Sequence, residues 1–216
     1  MQIEIYSDTI CPWCFIGKRR LERALAERPQ EALEITWRAF QLNPDMPAEG
    51  MDRQAYLQLK FGGADNARQV YDRVREAGRE EAIPFAFEAI QRTPNTIDSH
   101  RLIRHAEGLS PDKVEAVVQG LFDAYFIDGR DIGDLEVLTA VAAAASLEAE
   151  TTRAFLESDE GLAPVRAEDN RARQIGIQGV PTFIFNNKYV LSGAHPPEVL
   201  HQLFDLSAQD DATAAE

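Results

Sequence analysis

Cys11-Pro12-Trp13-Cys14 contains the only two cysteines of a 216-residue chain, three positions apart. They stand where an alternating run, Gln2 to Ser7, gives way to a helical pattern. That junction gives the pair a physical purpose. On a first helical turn, residues i and i+3 face each other at about 5–6 Å, within the Cα separation a disulfide spans. The first cysteine also meets the unpaired N–H groups and the positive end of the helix, which favour a thiolate. Pro12 suits the first helical position, where a missing N–H is no loss. The geometry therefore predicts an attacking Cys11 and a shielded, resolving Cys14. Zinc would need two more ligands. No second Cys-x-x-Cys exists, and His100 and His105, five apart, fall on different helix faces. No metal is expected.

The opening reads β–α–β. Ile3 and Ile5 share one strand face, with Gln2, Glu4 and Tyr6 on the other. The helix after Cys11 carries Cys14, Gly17, Leu21 and Ala24 on one stripe, with Lys18 and its charged neighbours mostly elsewhere. A glycine on a buried stripe predicts close packing against a neighbour. Leu33 to Phe40 is strand-like again, and Leu42-Asn43-Pro44-Asp45-Met46-Pro47 is a loop. From about residue 52 to 158 the pattern is helical, with five or six helices and no convincing strand. Ser110 and Asp134 are the expected N-caps of two of them. A helix through Val165–Ile175 follows. The runs Thr182–Phe185 and Lys188–Ser192, joined by Asn186-Asn187, then read as a tight hairpin. Pro196-Pro197 opens a last helix, and the acidic tail from Ser207 to Glu216 is expected to be disordered.

Charge and length exclude several classes. A net charge of −14 disfavours nucleic acid and anionic membranes, both of which call for basic patches. No apolar run approaches the ~20 residues of a membrane span. The strand pattern starts at once, without a leader signature, so the expected location is the cytoplasm, where a disulfide is transient and catalytic.

A strand ending in Cys-x-x-Cys and a later Val180-Pro181-Thr182 before a hairpin mark the thioredoxin fold. The chain resembles the DsbA-like thioredoxin superfamily, and within it the FrnE-like cytosolic disulfide oxidoreductases. The resemblance rests on Asp8 to Lys18, Phe40-Gln41-Leu42-Asn43-Pro44, Asn95-Thr96 with His100-Arg101-Leu102, Leu121 to Phe126, Gly179 to Phe183 and Ser192-Gly193-Ala194. It implies an α/β architecture, a thioredoxin fold with a large all-helical domain inserted after the β-α-β half. The thioredoxin-like part is expected at 1–45 and 161–206, with the insertion at 46–160.

The resemblance also implies a thiol–disulfide oxidoreductase, with disulfide isomerisation within its scope. It would need no cofactor and would use protein or small-molecule thiols and disulfides, glutathione among them as redox co-substrate. Some relatives form homodimers. Cys11 and Cys14 carry the catalysis, and Pro12, Trp13, Val180 and a cis Pro181 meet the substrate. The insertion packs over the site in this family, so Asn95, Thr96 and His100 are cleft candidates. Asn43 and Lys60 sit where glutathione-using relatives carry contacts. Two other functions compete. Kappa-class glutathione transferases and 2-hydroxychromene-2-carboxylate isomerases share the architecture but carry serine where this chain has Cys11. A redox-sensing adaptor would use the cysteine pair as a switch without turnover.

Overall fold

The computed structural model describes residues 1–214, and their side chains as far as Gln209. Strand β1 (Gln2–Ser7) leads through a two-residue turn into helix α1 (Pro12–Glu27), which returns the chain to β2 (Glu34–Ala39). β1 and β2 are parallel, with Ile5 opposite Trp37 and Ser7 opposite Ala39. A short strand β3 (Met51–Asp52), α2 (Arg53–Phe61), α3 (Ala64–Glu80) and a second short strand β4 (Arg92–Thr93) follow. Then come α4 (Ile97–Glu107), α5 (Pro111–Phe126), α6 (Leu135–Ala144), α7 (Ala149–Glu157) and α8 (Leu162–Gln174). The chain finishes with β5 (Thr182–Phe185), β6 (Tyr189–Ser192) and α9 (Pro197–Ala214). The main sheet has the order β2-β1-β5-β6, with β5 and β6 antiparallel to their neighbours. A β-α-β half and a β-β-α half thus share one sheet, separated in sequence by helices.

Several local expectations translate directly. Asn186 and Asn187 both take positive φ, 47° and 55°, as a type I′ hairpin requires. The Asp134 carboxylate accepts from Glu136 N–H at 2.8 Å and Val137 N–H at 3.2 Å, capping α6. Gly17 lies against the strand that follows Pro181. A β-carbon there would stand 3.0 Å from Pro181 Cγ and 3.2 Å from Phe183 Cζ.

Other expectations need completion or correction. Tyr6 does take the face opposite Ile3 and Ile5, and it is buried there, because helices cover both faces of the sheet. Its ring joins Phe40, Ala172, Ile177 and Ile184 in a second apolar cluster under α8. Lys18 is buried too, its ammonium enclosed by Glu22, Glu115 and the Gln119 amide. The helical block does contain strands: β3 and β4 pair through Met51–Thr93 and Asp52–Arg92, too short to leave an alternating signature. Ser110 occupies the N-cap of α5, but its hydroxyl makes no capping bond. α9 does not stop at Ser207; it runs to Ala214 with Ser207 buried, and residues 215–216 of the expected disordered tail lie outside the described residues.

Two contacts fix α1 against the inserted helices. Phe15, next to Cys14, stacks on Phe122 of α5 at 5.0 Å between ring centroids and meets Phe85 edge-on at 5.9 Å. Full burial of such a ring contributes about 1.5–3 kcal/mol, and each well-placed aromatic pair about 0.5–1.5 kcal/mol more. Arg101, fully buried in α4, donates to the carbonyls of Phe155, Leu156, Ser158 and Glu160 and to Asp98. These include orphan acceptors at the end of α7, where a cation also meets the negative helix terminus.

Candidate active site

Cys11 is the N-cap of α1, with extended backbone (φ −93°, ψ 112°) and Pro12 as the first helical residue. Its amide donates to Asp8 O at 3.0 Å, and its own carbonyl receives Cys14 N–H at 3.0 Å. Proline fits because N1 has no partner to lose, so the helix starts where the sequence predicts. Both cysteines are thiols, Cys11 4% and Cys14 1% exposed. Trp13 between them is 37% exposed and forms part of the surface around the pair.

The antiparallel register of β1 with β5 pairs Tyr6 with Thr182. Pro181 therefore lies one step beyond the paired residues, level with the end of β1 where the cysteine turn begins. The Val180–Pro181 peptide is cis. Cys11 Sγ lies 3.5 Å from Val180 O and donates to it. The cis-proline segment thus meets the cysteine turn at the Cys11 sulfur.

The two thiols differ in environment. Burial pushes the Cys14 thiol well above its ordinary range, and the neighbouring Cys11 sulfur pushes the same way. The Ser7 hydroxyl and the Asp8 backbone pull the other way. Asp8 is wholly buried beneath the turn, one carboxylate oxygen accepting Leu42 N–H at 2.7 Å and the other 3.6 Å from His100 Nε2. Thr9 Oγ1 and Ser99 Oγ are 2.7 Å apart, so α4 is tied directly to the cysteine turn.

The five cleft candidates do not form one cleft. Asn43 and Lys60 line a groove of about 340 Å³ together with Met46, Tyr56 and Leu59. Asn95 lines a separate, larger groove of about 710 Å³ with Gln41 and Asp98, and its side chain is a loop tie. Its amide donates to Met46 O at 2.7 Å, and its carbonyl oxygen accepts Ile97 N–H at 3.0 Å. Thr96 is buried at the start of α4, its hydroxyl 3.4 Å from the Gln41 amide. His100 is buried behind Asp8.

Tyr56 lines the groove of Asn43 and Lys60, a position that the sequence does not announce. Burial pushes its phenol up, with the Asn43 amide pulling down and the charges of Asp8 and Cys11 adding to the rise. An isolated tyrosine in a helical pattern carries no signal for that position. Asp8 was within reach, as an acid three residues before a helix-capping cysteine.

A Cys-x-x-Cys opening the helix of a β-α-β unit, facing a cis-proline before an antiparallel hairpin, defines a thioredoxin-like protein. The chain belongs to the DSBA-like thioredoxin domain family, whose sequence profile it matches over residues 2–205. It is similar to the probable DsbA oxidoreductase SCO1869 from Streptomyces coelicolor, with 32% identity and a TM-score of 0.84. That alignment covers 97% of this chain and 89% of the other. The uncharacterized protein YwbO of Bacillus subtilis is 24% identical over 94% of both chains. The fold is also that of the cytosolic disulfide reductase DsbM from Pseudomonas aeruginosa, solved with glutathione. That similarity covers all of both chains at 19% identity and a TM-score of 0.65. Among the described residues no helix is long and apolar enough to cross a membrane.

Proposed function

We propose that the protein is a thiol–disulfide oxidoreductase that cycles Cys11 and Cys14 between dithiol and disulfide. The observation that carries this reading is the placing of Cys11 Sγ at the start of α1, one helical turn from Cys14 and 3.5 Å from Val180 O. Cys11 attacks one sulfur of a substrate disulfide; a new S–S bond forms and the other substrate sulfur leaves as a thiolate. Cys14 then attacks Cys11 Sγ, closing the internal disulfide and releasing the second substrate thiol. The substrate gains two electrons and the cysteine pair loses them. A low-molecular-weight thiol such as glutathione reverses the sequence and restores the dithiol.

The remaining site residues have roles that fit this cycle. Trp13 offers an exposed apolar surface beside the reacting sulfur. The backbone at Val180 pairs with an extended substrate segment. The groove of Asn43, Tyr56 and Lys60 receives the part of the substrate beyond its disulfide. The reading includes a cytoplasmic setting, supported by the likeness to a cytosolic reductase.

The test is equilibration of the protein in glutathione redox buffers, followed by thiol alkylation and intact mass. A single two-electron transition between dithiol and intramolecular disulfide is expected. No internal disulfide at any buffer ratio would refute the cycle. Repeated reduction of insulin with a thiol source separates turnover from one-time sensing. A Cys11→Ser variant that kept full activity on a small electrophile would instead establish glutathione transfer or isomerisation.

A further inference from the structure

Cys14 must lose a proton to resolve a mixed disulfide, yet it is buried and its thiol holds that proton tightly. The Ser7 hydroxyl, at the end of β1, is one of the groups that favour ionisation of that thiol. Ser7 also lines a cavity of about 10 Å³ between β1, β2 and α4, shared with Trp37, His100, Ile103, Glu107 and Glu168. That is about the room one water molecule needs. Three polar atoms around this region, Glu107 Oε1, His100 Nε2 and Asp8 Oδ1, are buried and have no hydrogen-bond partner in the protein. Buried polar atoms are normally partnered, so an unpaired carboxylate oxygen beside a path from a reactive thiol calls for a purpose.

We propose that Glu107 takes up the proton that Cys14 sheds when it resolves a mixed disulfide, by way of Ser7 and the one-water cavity. This deepens the oxidoreductase reading above and rests on it.

The surrounding charges explain why Glu107 fits the task. Glu168, on α8, holds both arginines nearby: Arg104 of α4 at 2.8 Å and Arg38 of β2 at 3.5 Å, and it accepts Ala39 N–H at 3.2 Å. Arg38 is further engaged by Glu4 at 2.8 Å. Glu107 is left with burial and the negative charge of Glu168, which together hold its carboxyl up to about 7 against the pull of Arg38 and Arg104. A group poised there accepts and returns protons at neutral pH. Asp8 and His100 are poorer exits, since both are enclosed. Glu107 is only partly buried and can pass its proton to solvent.

The step balances. The Cys14 proton goes to the Glu107 carboxylate, the Cys14 sulfur bonds to Cys11 Sγ, and the bond from Cys11 to the substrate sulfur breaks. Its electron pair leaves on the substrate thiolate, and Glu107 releases the proton to water. When a thiol later opens the disulfide, Glu107 returns a proton to Cys14.

Ellman's reagent separates the two steps in a stopped-flow experiment. Attack by Cys11 releases one coloured thiolate at a rate that depends on reagent concentration. Resolution by Cys14 releases a second at a rate that does not. The second phase of the native protein should rise with pH and level off through an inflection near pH 7. In Glu107→Gln it should slow about a hundredfold or more at neutral pH, the low end of what a positioned acid or base supplies, and lose the inflection. The first phase serves as the internal reference, and Glu107→Asp should recover the inflection. Should Glu107→Gln not fold, Glu168→Gln removes the adjacent charge and should move the inflection to lower pH. A Glu107→Gln second phase with native rate and native pH profile overturns the relay, as does an unmoved inflection in Glu168→Gln. A native protein releasing one equivalent only would refute the cysteine cycle itself, and the relay with it.

Discussion

If Glu107 is held partly protonated by its surroundings, it weakens the fold whenever it is ionised, and Glu107→Gln should measure by how much. The carboxyl titrates at about 7 in the folded protein and near 4.5 when unfolded. The folded state therefore binds more protons between those values, and this group's contribution to stability is lost as pH rises through that window. At ~1.4 kcal/mol for each pH unit, the gap has an upper bound of about 3 kcal/mol. The side chain is only partly buried, so solvent screening reduces this to about 1–2 kcal/mol. The glutamine variant should be more stable than the native protein by that amount at pH 8 or so, and equal to it below about pH 4.5, where both side chains are neutral. Urea unfolding at the two pH values measures both differences with one slope. An equal effect at both pH values, or a destabilised variant at the higher one, would show that the carboxylate suffers no penalty there. A substitution that strengthens the fold while slowing resolution is the pattern expected of a residue kept for chemistry.

Gly17→Ala should destabilise by about 1–2 kcal/mol, because overpacking against Pro181 Cγ at 3.0 Å and Phe183 Cζ at 3.2 Å outweighs the ~1 kcal/mol that alanine adds to a helix. Denaturant unfolding decides it, and a net gain in stability would mean that the helix and the proline strand can move apart freely. Arg101→Met leaves the carbonyls of Leu156, Ser158 and Glu160 without the guanidinium donor and should cost about 3–5 kcal/mol, seen as a large drop in melting temperature. A drop of a degree or two would mean that water replaces the guanidinium at the end of α7. Cys14→Ser should retain glutathione on Cys11 after exposure to glutathione disulfide, as an added mass that the native protein lacks. An unmodified variant would make Cys11 the wrong nucleophile.

What the sequence reveals follows from how local each signal is. β1, α1, β2, the Asn186-Asn187 hairpin and α9 are written in short-range periodicity and turn chemistry. The cysteine turn is legible because its purpose lies in a four-residue spacing. The burial of Tyr6 and Lys18 is not legible by the same rules, since an alternating strand shows which residues share a face but not that both faces are covered. β3 and β4 have two residues each, so no pattern distinguishes them from the loops around them. The early end expected for α9 came from its acidic composition, whereas the helix is anchored at Ser207 by burial that composition does not record.

The polar floor of the site is the least legible part, and topology explains why. Thr9 and Ser99 touch across 90 intervening positions, Asp8 meets His100 at a similar separation, and Ser7 shares its cavity with Glu107. None of these residues is unusual in its own segment. They become a site because α4 is laid across the end of β1, held by Arg101 at one end of its packing and by the Phe15–Phe122 stack of the adjoining α5. The inserted helices therefore do more than roof a substrate groove. Without α4, Asp8 would lose the histidine behind it, and the cavity beside Ser7 would lose Glu107. A thioredoxin-like core cut free of this insertion would keep its cysteine pair and its cis-proline, but not the polar groups of α4 packed beneath the cysteine turn.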